Sequence, residues 1–198
     1  MVRTFHIADV FTLGNAACGV AATLCLMAYM TAQTASLYAA SVALIVAALV
    51  FDVVDGRIAR WRRSHSAFGR ELDSLADIIS FGVAPAALGF AAGLQGSLDC
   101  VALVYFVCCG VSRLARFNVT AESLSAGQDK VAYFEGTPIP TSVVLALALG
   151  LAAWQGRLGA DMYWGVWTAG PLELHPFSLL FVLSGTLMIS KTLRIPKF

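Results

Sequence analysis

The segment FDVVDGRIARWRRSHSAFGRELDSLADIIS, residues 51–80, decides how the rest of the chain is read. It sets four aspartates and five arginines between two strongly apolar runs. Such a charge density is ordinary in water and costly inside a bilayer core, so its meaning depends on what flanks it. The chain of 198 residues is 59% hydrophobic and only 13% charged, with a mean hydropathy of +0.77. Those values lie well beyond an ordinary soluble domain and place the chain in a lipid bilayer. Apolar runs occur at residues 8–30, 36–56, 72–95, 98–117, 138–156 and 176–193. Each is close to the length of about 20 residues that a helix needs to cross the hydrocarbon core. The expected fold is therefore all-α: a polytopic membrane protein of six transmembrane helices. Little chain remains once they are laid down, so residues 1–198 read as a single transmembrane domain.

The opening MVRTFHIADVFTLGN has no small-residue cleavage site after a short apolar region and reads as mature protein. Basic residues fix the orientation. With the amino terminus in the cytoplasm, Arg157 alone of the 13 Lys+Arg falls on the far side. Both termini are then cytoplasmic, in a protein of the cytoplasmic membrane. One face is basic and suited to anionic lipid headgroups or phosphorylated substrates. No basic domain stands clear of the membrane, which argues against nucleic acid as a partner. Tyr163, Trp164 and Trp167, between the fifth and sixth runs, read as an interfacial aromatic belt. The five cysteines show no CxxC spacing and read as small buried hydrophobes. His6, His65 and His175 lack ligand spacing and are assigned no chemistry.

On a helix advancing about 100° per residue, Asp52 and Asp55 share a face with Gly56 and Ala59. On the next helix Asp73 and Asp77 share a face with Gly69, Ser80 and Ala84. A short cytoplasmic turn makes the two helices antiparallel, and small residues let their backbones approach. Four carboxylates then converge at one end of the pair, where they either take up protons or hold a cation among them. A hard divalent ion suits such oxygen donors and can neutralise charge on a transferring phosphate. The competing reading is a juxtamembrane salt-bridge network with the neighbouring arginines, although such a network needs no small residues beside it. Arg62 and Arg63 read as orientation signals and headgroup contacts.

The pattern D-x-x-D-G-x-x-A-R, eight residues, then G-x-x-x-D-x-x-x-D, at residues 52–77, resembles the signature of the CDP-alcohol phosphotransferases with no departure. The resemblance implies a membrane enzyme that displaces CMP from a CDP-linked lipid with an alcohol, in a six-helix fold that forms a homodimer. It implies Mg²⁺ or Mn²⁺ held by Asp52, Asp55 and Asp73. It also implies a CDP-lipid site with Gly56 and Ala59 beneath the cytidine, Arg60 at a phosphate, and Gly69 beside them. Asp77 is similar to the residue that takes the proton of the attacking hydroxyl while lying within reach of a second metal.

Further segments bear on the acceptor: TLGNAACG at 12–19, DSLADIISFGVAPA at 73–86, SRLARFN at 112–118 and YFEGTPIP at 133–140. Together they resemble the integral-membrane phosphatidylserine synthases of the bacterial and archaeal type, from about residue 8 to residue 145. The implied partners are CDP-diacylglycerol, L-serine and membrane lipids. Arg113 and Arg116, three apart on one helix face, offer the guanidinium geometry that grips a carboxylate. Asn118 is grouped with them, and a positive-inside flank is the alternative for the arginines. Asn15 is either a polar bridge between helices or part of the CDP-lipid site. YFEGTPIP reads as a re-entry into the fifth helix, with Pro138 in its first turn. Two other classes stay open. One is a CDP-alcohol phosphotransferase with another acceptor or lipid, giving archaetidylserine or using choline, glycerol phosphate or inositol. The other is a small ion or solute transporter, disfavoured because the acids cluster at one surface instead of tracking across the bilayer.

Overall fold

The computed structural model describes residues 7–62, 67–125, 133–170, 172–190, 192 and 194–196. In hydrocarbon every backbone N–H and C=O must be satisfied within the chain, and a long apolar run does this as helix. Thus α1 (Ile7–Ala32) and α2 (Ala35–Arg62) form an antiparallel hairpin. It turns at Gln33, whose φ is +52° and whose N–H closes on the Tyr29 carbonyl at 2.7 Å. The third run is composite, with α3 (Ala67–Asp77), a π-helical turn (Ile78–Val83) and α4 (Ala84–Ala91) in succession. Pro85 explains the irregularity. It has no N–H for the carbonyl four residues back, that of Phe81, and this carbonyl accepts from Ser142 Oγ at 2.6 Å. α5 (Ser97–Ser125) follows, then a 3₁₀ turn (Ile139–Ser142) leading into α6 (Val143–Trp154), and finally α7 (Ser178–Ile189).

The expected helical membrane architecture is present in its coarser form. Among the described residues four helical spans are long and apolar enough to cross a bilayer: Ala8–Ala32, Ala35–Ile58, Phe68–Ala91 and Ser97–Val119. The fifth and sixth runs give shorter apolar helices, Ile139–Trp154 and Ser178–Ile189. Pro138 keeps the first of these extended at its start, and Ser190 leaves the second in an extended conformation. The chain is also mostly, not wholly, helical. β1 (Tyr133–Glu135) pairs antiparallel with β4 (Arg194–Pro196), and β2 (Trp167–Ala169) with β3 (Leu172–Leu174). YFEGTPIP therefore begins as a strand. Its turn requires Gly136, where φ is +76° and a Cβ would lie 2.2 Å from the Met188 carbonyl oxygen.

Lipid is as apolar as leucine, so helix association depends on close packing instead of hydrophobic burial. Phe106 and Phe181, both fully buried, meet edge to face at 5.3 Å between α5 and α7. Beside them Gly185 lies where a Cβ would be 3.2 Å from Phe106 Cα. Leu24, Val101 and Val144 point outward to the lipid. At the end of α5 away from Arg113, buried Asp99 accepts from the His175 backbone N–H at 2.8 Å and lies 2.6 Å from His175 Nδ1. This joins the start of α5 to the approach to α7, a structural duty for a histidine that has no part in the carboxylate cluster.

A close small-residue contact sets Gly19 of α1 against the π turn, where a Cβ would fall 2.5 Å from Ser80 Oγ and 2.7 Å from Ser80 Cα. Gly19→Ala should destabilise the fold by about 1–3 kcal/mol, as overpacking does. At Gly56 a Cβ would meet no described atom within 4 Å, so Gly56→Ala should leave thermal unfolding in detergent nearly unchanged. Equal melting temperatures for the two variants would remove Gly19 as the contact that sets the spacing of α1 and the π turn.

Candidate active site

The sequence puts carboxylates on α2 and α3, and the fold brings them together. One carboxylate oxygen from each of Asp52, Asp55 and Asp73 lies within 4.8 Å of the others. Asp77, one turn beyond Asp73, is buried. The third wall of the site comes from α1, whose residues 12, 15 and 19 recur on one face. Thr12 Oγ1 donates to Asp55 Oδ2 at 2.9 Å, and Asn15 Nδ2 donates to Asp77 Oδ1 at 3.2 Å. Ser80 Oγ donates to the Asn15 carbonyl at 2.9 Å in the space that Gly19 leaves. Thr12 and Asn15 thus each brace an acid, and Ser80 holds the α1 backbone at Asn15.

Among the described residues none of these four aspartates forms an ion pair with lysine or arginine. Three converging oxygen donors are the donor set of a hard divalent ion, so the residues fit such an ion. Asp9, buried one turn before Thr12, lies within charge range of Asp55 and adds a further carboxylate to the same wall. Ser80 was placed on the face of Asp73 and Asp77 from sequence, whereas Thr12 and Asp9 were not singled out. The polar i, i+3 spacing of Thr12 and Asn15 was the available signal for Thr12.

The remaining site residues divide. At Gly56 on α2 an added Cβ would have room, with no described atom within 4 Å of it. Ala59 and Arg60 belong to α2, but their side chains lie outside the described set, as do Arg62 and Arg63. Gly69 is half-buried in the first turn of α3. Arg113 is half-buried on α5, within charge range of Asp77 and Arg116, and its Nε is buried without a hydrogen-bond partner among the described residues. Arg116 reaches the other way: Nη1 and Nη2 donate to the carbonyls of Ile189 and Met188 at 3.2 and 3.4 Å. A helix leaves its last carbonyls unsatisfied, and this guanidinium caps those of α7. Asn118 Nδ2 donates to Glu71 Oε2 and to Ser74 Oγ, both at 3.0 Å, tying α5 to α3. Of the three residues grouped around the acceptor, Arg113 is the one whose charge bears on Asp77.

Acids on two helices braced by a polar face of a third, at the end of a helical membrane bundle, agree with the signature read from residues 52–77. The family model for CDP-alcohol phosphatidyltransferase matches residues 5–172, and the chain belongs to that family. It is 42% identical over 203 residues to a CDP-diacylglycerol–serine O-phosphatidyltransferase of Saccharomyces cerevisiae, covering all of this chain and 72% of that protein. Enzymes of the same name from Mycobacterium leprae and Methanocaldococcus jannaschii are 38% and 39% identical, over 65% and 53% of this chain. Those two matches take in 42% and 47% of the relatives, so the chain spans less than half of their length.

Thr12 should matter through Asp55. Mn²⁺ titrated into purified protein and followed by electron paramagnetic resonance should bind about 10-fold or more weakly in Thr12→Val, the usual cost of losing a group that orients a ligand. Asp55→Asn should abolish the tight site. Unchanged Mn²⁺ affinity in Asp55→Asn would take the ion out of this cluster.

Proposed function

We propose that the protein transfers the phosphatidyl group of CDP-diacylglycerol to the hydroxyl of L-serine, forming phosphatidylserine and releasing CMP. The observation that carries this reading is the convergence of Asp52, Asp55 and Asp73 beside an Asp77 held by Asn15. Family membership and the printed activity of the relatives support it. Asp52, Asp55 and Asp73 hold Mg²⁺ or Mn²⁺, with Asp77 in reach of a second ion. The bound metal supplies neutralisation of the negative charge on the CDP pyrophosphate.

The chain's own residues do the rest. Gly56, Ala59 and Gly69 leave room for the nucleotide, and Arg60 contacts a phosphate. Asp77 accepts the proton of the serine hydroxyl as its oxygen bonds to the lipid-side phosphorus. The bond from that phosphorus to the CMP oxygen breaks in the same displacement. The serine oxygen attacks the phosphorus directly, without a covalent enzyme intermediate. Arg113 donates to the serine carboxylate. Arg116 and Asn118 hold α5 against α7 and α3 at the rim of this acceptor site. The short helices α6 and α7 complete six crossings, with both termini and the active site on the cytoplasmic side of the cytoplasmic membrane, in a homodimer.

The test is an assay of purified protein with CDP-diacylglycerol and a panel of serine, glycerol phosphate, inositol and choline, in Mg²⁺, Mn²⁺ or chelator. Phosphatidylserine should form only with metal. Asp77→Asn should lower kcat by about 10²–10⁴-fold while CMP binding persists. Full activity in chelator would remove the metal, and loss of CMP binding in Asp77→Asn would make that residue a ligand instead of the base.

A further inference from the structure

Two buried polar atoms on side chains that interact with Asp77 have no hydrogen-bond partner among the described residues: the amide oxygen Asn15 Oδ1 and the guanidinium nitrogen Arg113 Nε. Their chemistry is opposite. The orientation of Asn15 follows from its neighbours, because an ionised carboxylate only accepts and therefore takes the amide NH₂. Asn15 Nδ2 donates to Asp77 at 3.2 Å, its backbone carbonyl is held by Ser80, and its side chain is fully buried. The oxygen is thus left as an acceptor in a place where an unsatisfied acceptor is costly. The second atom is a buried donor, Arg113 Nε, on a side chain within charge range of the same Asp77. The site is deficient in one N–H donor and one acceptor oxygen.

We propose that Asn15 is an acceptor-specificity residue, its Oδ1 receiving a hydrogen bond from the ammonium of an amino-acid substrate whose carboxylate meets Arg113. This rests on the proposed serine transfer and deepens it. Serine carries its ammonium and carboxylate on the carbon next to its hydroxymethyl group. A hydroxyl at Asp77 therefore brings both charged groups to the flanks of that residue, where one finds an amide oxygen and the other a guanidinium. The shared chemistry is an N–H donor, and the exocyclic amine of cytosine is the other source of one. The bond to Asp77 favours the ammonium, since the amide is fixed to the group that receives the acceptor's proton.

The experiment compares L-serine with 3-hydroxypropionate, which is serine without its amino group, as acceptors for the wild-type protein and Asn15→Ala in detergent with CDP-diacylglycerol and metal. CMP affinity is measured in parallel by calorimetry. The wild type should prefer serine by at least about tenfold in kcat/KM, because a site built to bond a polar group rejects the analogue lacking it. In Asn15→Ala both activities fall through the loss of the Asp77 contact. The preference should also shrink to within about threefold while CMP affinity stays the same, and the comparison forms a cycle with the substrate as one partner.

A preserved preference would show that Asn15 acts only on Asp77 and would overturn the proposal. A parallel fall in CMP affinity would do so by giving the oxygen to cytosine. Should Asn15→Ala fail to fold, Asn15→Ser is assayed in its place, and equal use of the two acceptors by the wild type overturns the proposal without any variant. A wild type that transfers to another alcohol and not to serine would overturn the proposed function itself, a result distinct from a serine transferase indifferent to the amino group.

Discussion

Mutual repulsion of carboxylates at the edge of lipid is the constraint around which the first half of the molecule is arranged. Oxygens of Asp52, Asp55 and Asp73 within 4.8 Å of one another raise the energy of the folded state unless each acid is braced and a cation is shared. The bracing comes from α1, and α1 can supply it only by lying close. Gly19 permits that approach, since a side chain there would occupy the position of Ser80. Thr12 and Asn15 then fall within hydrogen-bonding distance of Asp55 and Asp77. A glycine on one helix thus decides whether acids on two others have a fixed geometry.

The π turn after Asp77 extends the same arrangement toward the carboxyl-terminal half. Pro85 withholds the donor that an α-helix would give to the Phe81 carbonyl, and Ser142 at the entry to α6 provides one. The composite helix that carries Asp73 and Asp77 is therefore held from two directions, by α1 before the turn and by the α6 approach after it. α5 contributes in a divided way. Arg113 faces the charge of Asp77, whereas Arg116 caps α7 and Asn118 bonds to α3. One helix carries both a cation within charge range of Asp77 and the ties that keep it in register.

The long spans and the acid cluster were legible in the sequence because each has a strong periodic signal. Unbroken apolar runs mark helices in a bilayer, and Asp at i and i+3 beside Gly marks a shared face. The shortness of α6 and α7 was not legible. Hydropathy counts apolar residues, but Pro138 and the extended Ser190 decide where the helix hydrogen bonds begin and end. The short strands escaped for a related reason: the three-residue β1 and β4 pair across a separation in sequence that no local pattern encodes. At the site, spacing alone put Arg113 and Arg116 on a common face. It could not tell that α7 would end against Arg116, because that depends on where a distant helix stops. Thr12 and Asp9 were missed because a threonine near a helix start and an acid at a membrane entry look like flanking residues until a neighbour is seen.

The unequal helix lengths bear on the surrounding lipid. α6 and α7 have 12 residues each, about 18 Å of α-helix against a hydrocarbon core of about 30 Å. α1 and α2, with 26 and 28 residues, exceed that thickness. The molecule therefore meets the bilayer with helices of unequal length. Acyl chains beside the short helices must shorten or tilt, or protein must cover the ends of those helices, as the β1–β4 and β2–β3 pairings at the helix ends begin to do. The resulting hydrophobic mismatch gives the protein a preferred bilayer thickness and makes its lipid neighbourhood asymmetric.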